Sequence, residues 1–429
     1  MSKYDKASLV HIPSGYKSGT LYNVLPNDAD GDFDFSRGST ATRVDKNGLI
    51  ETIATGTPRL DYPLLDGVVQ DNPTLLLEPQ RINIYTYSED LSQGTTLTNT
   101  SVDETSIVSP DGSLTGNKLT QTSGAYLRKN LSVVLSGTYA WSFFAKKGDL
   151  RYLNARSLFV LNGTTPANGN TIIDLDTNTI AYKGTNVTSA TIEQYPNDWI
   201  KVEIVATDNA TGSGDFVDFF FTDSDTSTQS TGVAGNGYIW GVQFESGSYG
   251  TSYVPNLITG STTRSADICN GAEADFNDSE GVLYANIVTS DIAQVSKVIT
   301  VNDGSTSNRI QVFYYDNEIW TNVISGGASQ ALFSQETNVD IFNKVALKYK
   351  ANDVAIWLNG FELDTNTSAI MPTGLDTIQF DNGSGAANFY GKTKEVIVFN
   401  EALSDTELEA LTSYDSFTEM ATEQLYTIE

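Results

Sequence analysis

The 429-residue chain holds one cysteine, Cys269, and one histidine, His11. A lone cysteine excludes an intramolecular disulfide and reads as a small buried hydrophobe. A single histidine leaves a Ser-His-Asp triad only one residue to recruit and rules out His-rich zinc sites. His11 lies in the apolar run Leu9-Val10-His11-Ile12, which suits a structural role. No apolar run approaches the ~18 residues of a membrane helix, so membrane insertion is not expected. The N-terminus, Met1-Ser2-Lys3-Tyr4-Asp5-Lys6, lacks the apolar core of a signal peptide. Positive charge is scarce as well. With 25 Lys and Arg against 53 Asp and Glu, the formal net charge is -28. Such a surface repels nucleic acid and anionic lipid, and suits cations, neutral glycans or basic protein faces.

Helical periodicity is nearly missing too. Short alternating or apolar runs recur about every ten residues between Gly, Asn, Asp, Ser and Thr clusters, a pattern that predicts sandwiches or barrels. The expected fold class is all-β: two tandem antiparallel β-sandwiches of jelly-roll type, preceded by an extended N-terminal attachment segment. The boundaries are 1–90 for that segment, which would also serve oligomerisation, 91–265 for the first sandwich, 266–415 for the second, and 416–429 for an acidic tail, loose or docked on a neighbour.

Within 1–90, Asp45-Lys46-Asn47-Gly48 predicts a hairpin turn. Pro58, Pro63, Pro73 and Pro79 argue against a central sheet. The segment is therefore expected as extended chain with a hairpin or two, lying on a partner or on the next domain. In the first sandwich, Trp141, Trp199 and Trp240 sit in strand runs as core anchors, and Asp176-Thr177-Asn178 turns between two strands. In the second, Lys344–Lys350, Val354–Leu358 and Phe361–Leu363 form a three-stranded meander turned by Ala351-Asn352-Asp353 and Asn359-Gly360. A short helix over about 405–412 opens on a Ser404/Glu407 capping box, with Leu403 and Leu408 as staple.

The blocks Phe35-Ser36-Arg37-Gly38-Ser39-Thr40-Ala41-Thr42-Arg43-Val44, Pro58-Arg59-Leu60-Asp61-Tyr62, Leu75-Leu76-Leu77-Glu78-Pro79-Gln80-Arg81-Ile82-Asn83 and Tyr87-Ser88-Glu89-Asp90-Leu91 resemble a tailed-phage structural protein family of tail or head fibre and decoration proteins. Tyr238-Ile239-Trp240-Gly241-Val242-Gln243-Phe244 and Thr251-Ser252-Tyr253-Val254-Pro255 fit the same pattern. The middle module is similar to jelly-roll carbohydrate-binding modules. The C-terminal part resembles the concanavalin-like (laminin-G-like) lectin/glucanase superfamily through Val354–Gly360 and the closing strand and helix at 394–411. These resemblances imply a virion protein made in the bacterial host cytoplasm and assembled on the particle. They also imply contacts with other virion proteins through the N-terminal segment, homotrimeric assembly and adhesion to host-surface glycans.

Chemistry is sparse. The Glu-x-Asp-x-x-Glu glucanase motif is missing, since Glu273-Ala274-Asp275 and Glu362-Leu363-Asp364 lack the spacing, and there is no Gly-x-Ser-x-Gly, P-loop or Cys-x-x-Cys. A non-enzymatic protein with no catalytic residues is expected, with a purely architectural capsid or tail component and a polysaccharide-degrading enzyme as competing readings. A glycan site needs aromatics to stack on sugar rings. If Val354, Ile356 and Leu358 face the core, Trp357 faces outward and is the first candidate. Tyr315 and Trp320, in Phe313-Tyr314-Tyr315-Asp316-Asn317-Glu318-Ile319-Trp320, are the second. No cofactor is required, although Asp223-Ser224-Asp225 and Asp381-Asn382-Gly383 are compatible with Ca²⁺, which takes carboxylate and carbonyl oxygens.

Overall fold

A computed structural model describes residues 4–131, 137–157, 166–208, 215–291, 294–414 and 416. All of the acidic tail except residue 416 lies outside them. The described chain is almost entirely antiparallel β-structure, with Asp405–Thr412 as its one α-helix.

The first sandwich is a ten-stranded rolled sheet. Its order is Thr179–Lys183, Asn170–Asp174, Tyr152–Ser157, Phe216–Thr222, Gly116–Asn130, Gly235–Ser246, Gly137–Lys147, Trp199–Asp208 and Val187–Tyr195, with Thr96–Ile107 paired to Gly116–Asn130. Alternation places Leu153, Ala155, Val217, Phe219 and Phe221 in one core with Trp141 and Phe143. All three tryptophans are buried. Only Trp141 lies in that core; Trp199 and Trp240 pack on the other face, against Val44 and Ile50 of the N-terminal hairpin.

The second sandwich packs two sheets. One runs Ala272–Glu273, Thr377–Gln379, Lys297–Asn302, Arg309–Tyr315, Glu318–Ser325 and Ala328–Glu336. The other runs Phe361–Asn366, Val354–Leu358, Asn343–Lys350, Glu280–Val288, Gly391–Phe399, Thr74–Leu77 and Arg59–Asp61. The predicted meander is the first three strands of this second sheet. Its turns hold Asn352 at φ 61°, Asn359 at 49° and Gly360 at 92°, the left-handed conformations that Asn and Gly tolerate.

Three strands of the first ninety residues join this same sheet. Thr74–Leu77 and Ala7–His11 both pair with Gly391–Phe399, and Arg59–Asp61 pairs with Thr74–Leu77. The expected resting place is a partner or the next domain, the first sandwich; these strands instead enter the sheet of the second sandwich as integral members. An extended arm is thus corrected to a set of sheet strands. The physical reason lies in the apolar run Leu75-Leu76-Leu77, which is buried on both faces; such a run needs a central position. The prolines bracket the strands instead of interrupting them. The Asp45–Gly48 turn closes a hairpin, Ala41–Val44 on Ile50–Ile53, with Asp45 Oδ1 accepting from the N–H of Asn47 (2.8 Å) and Leu49 (2.9 Å).

The motif blocks meet at one buried ion network. Arg37 Nη1 donates to Asp267 (3.0 Å), Arg59 Nη1 to Glu78 (2.6 Å) and Arg264 Nη1 to Glu78 (2.7 Å), while Arg59 Nη2 also pairs with Asp267. Ser252 donates to Glu78 from its N–H and its hydroxyl, both at 2.7 Å. Burial opposes charge on Glu78, but the Arg264 and Arg59 guanidiniums and Ser252 outweigh it and hold the carboxyl well below the usual range. N-terminal segment, end of the first sandwich and inter-sandwich connection are thereby fastened through groups that cannot be left unpaired.

Candidate functional site

The three aromatic candidates have different fates. The strand Val354–Leu358 alternates as expected: Val354, Ile356 and Leu358 enter the sandwich core, and Ala355 and Trp357 face away from it. That outward face is covered. Helix Asp405–Thr412 sets Leu408 and Leu411, with Leu403, against Trp357, which is 6% exposed. Glu407 reaches back to accept from the Ser404 N–H (2.9 Å), fixing the helix start. Trp357 as a sugar-stacking residue is therefore corrected to a core residue beneath the helix.

Tyr315 and Trp320 come together. Phe313 and Trp320 are cross-strand partners with rings stacked at 6.0 Å and 25°. Tyr315 meets Trp320 edge-on at 6.1 Å. Tyr315 and Trp320 are half-buried, on the face of the six-stranded sheet opposite Val312 and Ile319, which lie in the core. Beside them on that face runs a polar row, Gln379, Thr300, Gln311 and Asn322, each the register partner of the next. Gln311 is 6% exposed, and its Oε1 has no hydrogen-bond partner. Asn322 accepts from Ser329 (2.8 Å). Aromatic rings beside amides form the donor set that binds hydroxylated rings.

Sequence reasoning missed a cleft of about 380 Å³ where the N-terminal segment and both sandwiches meet. Tyr62, Tyr195, Tyr249 and Tyr390 line it with Glu203 and Asp340. Burial, and then the Glu203 charge, push the Asp340 carboxyl up. Among the described residues neither carboxylate forms an ion pair. Gly250 gives Glu203 room, since a Cβ there would come within 2.5 Å of its Oε2. Nothing local in the sequence marks this cleft, because its walls come from strands remote along the chain.

His11 is fully buried, with Nδ1 2.6 Å from Asn23 Oδ1, and burial pushes its pKa down to about 4. Cys269 is buried, and burial raises its thiol well above the usual value. Among the described residues no group of three or more His, Cys, Asp or Glu gathers as a metal site. Of the two calcium-compatible loops, the Asp381 carboxylate is occupied by Asn270 Nδ2 (2.7 Å) and the Gly383 N–H (2.6 Å).

No family model and no curated protein matches the chain. Solved structures with partial likeness include the CBM40 of Ruminococcus gnavus IT-sialidase, at 18% identity and TM-score 0.28 over 32% of this chain and 84% of that one. Leech intramolecular trans-sialidase is similar at 19% identity and TM-score 0.29, over 33% of this chain and 24% of that one. Domain 4 of a GH43 extracellular arabinanase from Geobacillus stearothermophilus is similar at 10% identity and TM-score 0.29, over 38% and 82%. At these scores the likeness is local, to about a third of the chain.

Proposed function

We propose that this chain is a non-enzymatic structural protein of a phage particle, of fibre or decoration type, that holds host-surface glycans on the outer face of its six-stranded sheet. The observation that carries the glycan reading is the half-buried Tyr315–Trp320 pair beside the row Thr300, Gln311, Asn322 and Gln379. A sugar ring stacks on Trp320, and its hydroxyls meet the amides, including the unpartnered Oε1 of Gln311. The virion assignment rests on the resemblance of the N-terminal and middle blocks. For contacts with other virion proteins and for a homotrimer, the N-terminal segment offers the exposed apolar side chains Tyr22, Val24, Leu65 and Val68. A glycan array probed with the intact chain tests the adhesive part. Binding lost on Trp320→Ala supports it; silence across arrays that include host capsular material sinks it.

A purely architectural role is the second reading. The buried Arg37–Arg59–Arg264 network favours it, since it holds both sandwiches in one fixed arrangement. Microscopy of intact particles separates the two: an interior position excludes receptor binding.

A further inference from the structure

The first sandwich carries a second polar face that neither the fold nor the aromatic site explains. On strands Asn170–Asp174, Tyr152–Ser157, Phe216–Thr222 and Gly116–Asn130, the residues facing away from the core form two adjacent rows in register. One is Asn170, Arg156, Asp218 and Arg128; the other is Ile172, Asn154 and Phe220. Two guanidiniums here share one carboxylate. Arg128 binds Asp218 through Nε (2.7 Å) and Nη2 (2.8 Å), and Arg156 donates to it through Nη2.

The floor of this face is buried and unsatisfied. Asn154 is 0% exposed, yet neither its Nδ2 nor its Oδ1 has a hydrogen-bond partner. The neighbouring Arg156 Nε and Asn170 Oδ1 are likewise buried without partners. Asn170 spends only its Nδ2, on the carbonyls of Ser227 (2.8 Å) and Gln229 (3.0 Å). Buried polar atoms are normally paired, and leaving one unpaired is unfavourable. Four such atoms at one spot call for a ligand that supplies what they lack. At one edge Arg128, Tyr126 and Phe216 keep solvent contact, with the Arg128 guanidinium 3.5 Å from the Phe216 ring centroid and 4.9 Å from that of Tyr126.

The unmet set has two donors, Arg156 Nε and Asn154 Nδ2, and two acceptors, Asn154 Oδ1 and Asn170 Oδ1. A carboxylate satisfies the donors and the second guanidinium charge; hydroxyls satisfy the acceptors. We infer that this face binds a carboxylate-bearing saccharide of the uronic-acid type, entering past Arg128. In a chain of net charge -28, an anionic ligand needs such a local surplus of guanidinium.

Calorimetric titration of the full chain with trigalacturonic acid and a hyaluronan tetrasaccharide, against neutral maltotriose, tests this. At least one uronate binds tenfold or more tighter than maltotriose, and raised salt weakens it. Asn154→Asp keeps the side-chain shape but adds negative charge, and it reduces that affinity at least tenfold. Asn154→Leu does the same while leaving the thermal midpoint equal or higher, because it replaces an unsatisfied amide with an apolar group. Trp320→Ala leaves uronate binding unchanged, so failure at the aromatic face and failure here are told apart. The inference is overturned if neither uronate binds, if maltotriose binds the Trp320→Ala chain as tightly as the uronates do, or if both Asn154 variants bind uronate like the parent chain.

Discussion

Trp320 and Trp357 lie in the same sandwich, each on the side of its strand that faces away from the core, yet they end in opposite settings. Trp320 is half-buried among Phe313, Tyr315 and a row of amides. Trp357 is closed under Leu403, Leu408 and Leu411. Strand alternation states which face a side chain takes; what covers that face is decided by elements elsewhere in the chain. An outward tryptophan is therefore left half-buried on one sheet and closed over by packing on the other.

The contrast can be set first against the network that fastens the N-terminal strands to the end of the first sandwich and the inter-sandwich connection. Arg59→Ala leaves Glu78 and Asp267 buried with too little positive charge, so the folded state loses about 4 kcal/mol, readable by denaturant unfolding. An effect below 1 kcal/mol would mean that the network does not fasten the N-terminal strands. Trp357→Ala comes next, with about 3 kcal/mol lost to the cavity beneath the helix. Glycan retention, measured below the melting temperature, stays intact in that variant.

His11 provides a smaller, pH-dependent test. Its folded pKa, about 4, lies below its ordinary value of 6.5, so protons bind the unfolded chain more tightly. The stabilisation is present above pH ~6.5 and is lost as pH falls toward 4. Between pH 7 and 5 the loss is about 2 kcal/mol, and His11→Gln removes that part of the pH slope. An unchanged slope would place the histidine in contact with water. The smallest stability effect belongs to Trp320→Ala, under about 1 kcal/mol, because the ring is only partly covered. A loss as large as that of Trp357→Ala would erase the distinction between the two faces.

Much of the fold was legible where short-range chemistry decides it. Asn359-Gly360 and Asn352 turn the meander, Asp45 and Gly48 close the hairpin, and Ser404 with Glu407 and Leu408 start the helix. Partners distant in sequence were not legible. Nothing in Ala7–His11 or Thr74–Leu77 says that Gly391–Phe399 lies beside it, although Leu75-Leu76-Leu77 did carry the mark of a doubly buried strand. Arg37, Arg59, Glu78 and Arg264 stood in recognisable blocks, but charge suggests surface until the opposing carboxylates are located. Of the candidate site, the pairing of Tyr315 with Trp320 could be read from one hairpin. Gln311 and Asn322 were hidden in plain alternation, and the cleft holding Glu203 and Asp340 had no local signature.

The most direct measurement is a side-by-side glycan array of the parent chain, Trp320→Ala and Trp357→Phe, each verified as folded by circular dichroism. The parent and Trp357→Phe should retain the same glycans, while Trp320→Ala loses them by tenfold or more. Binding that survives Trp320→Ala but is lost in a folded Trp357→Phe chain would contradict the assignment of the Tyr315–Trp320 face as the adhesive one.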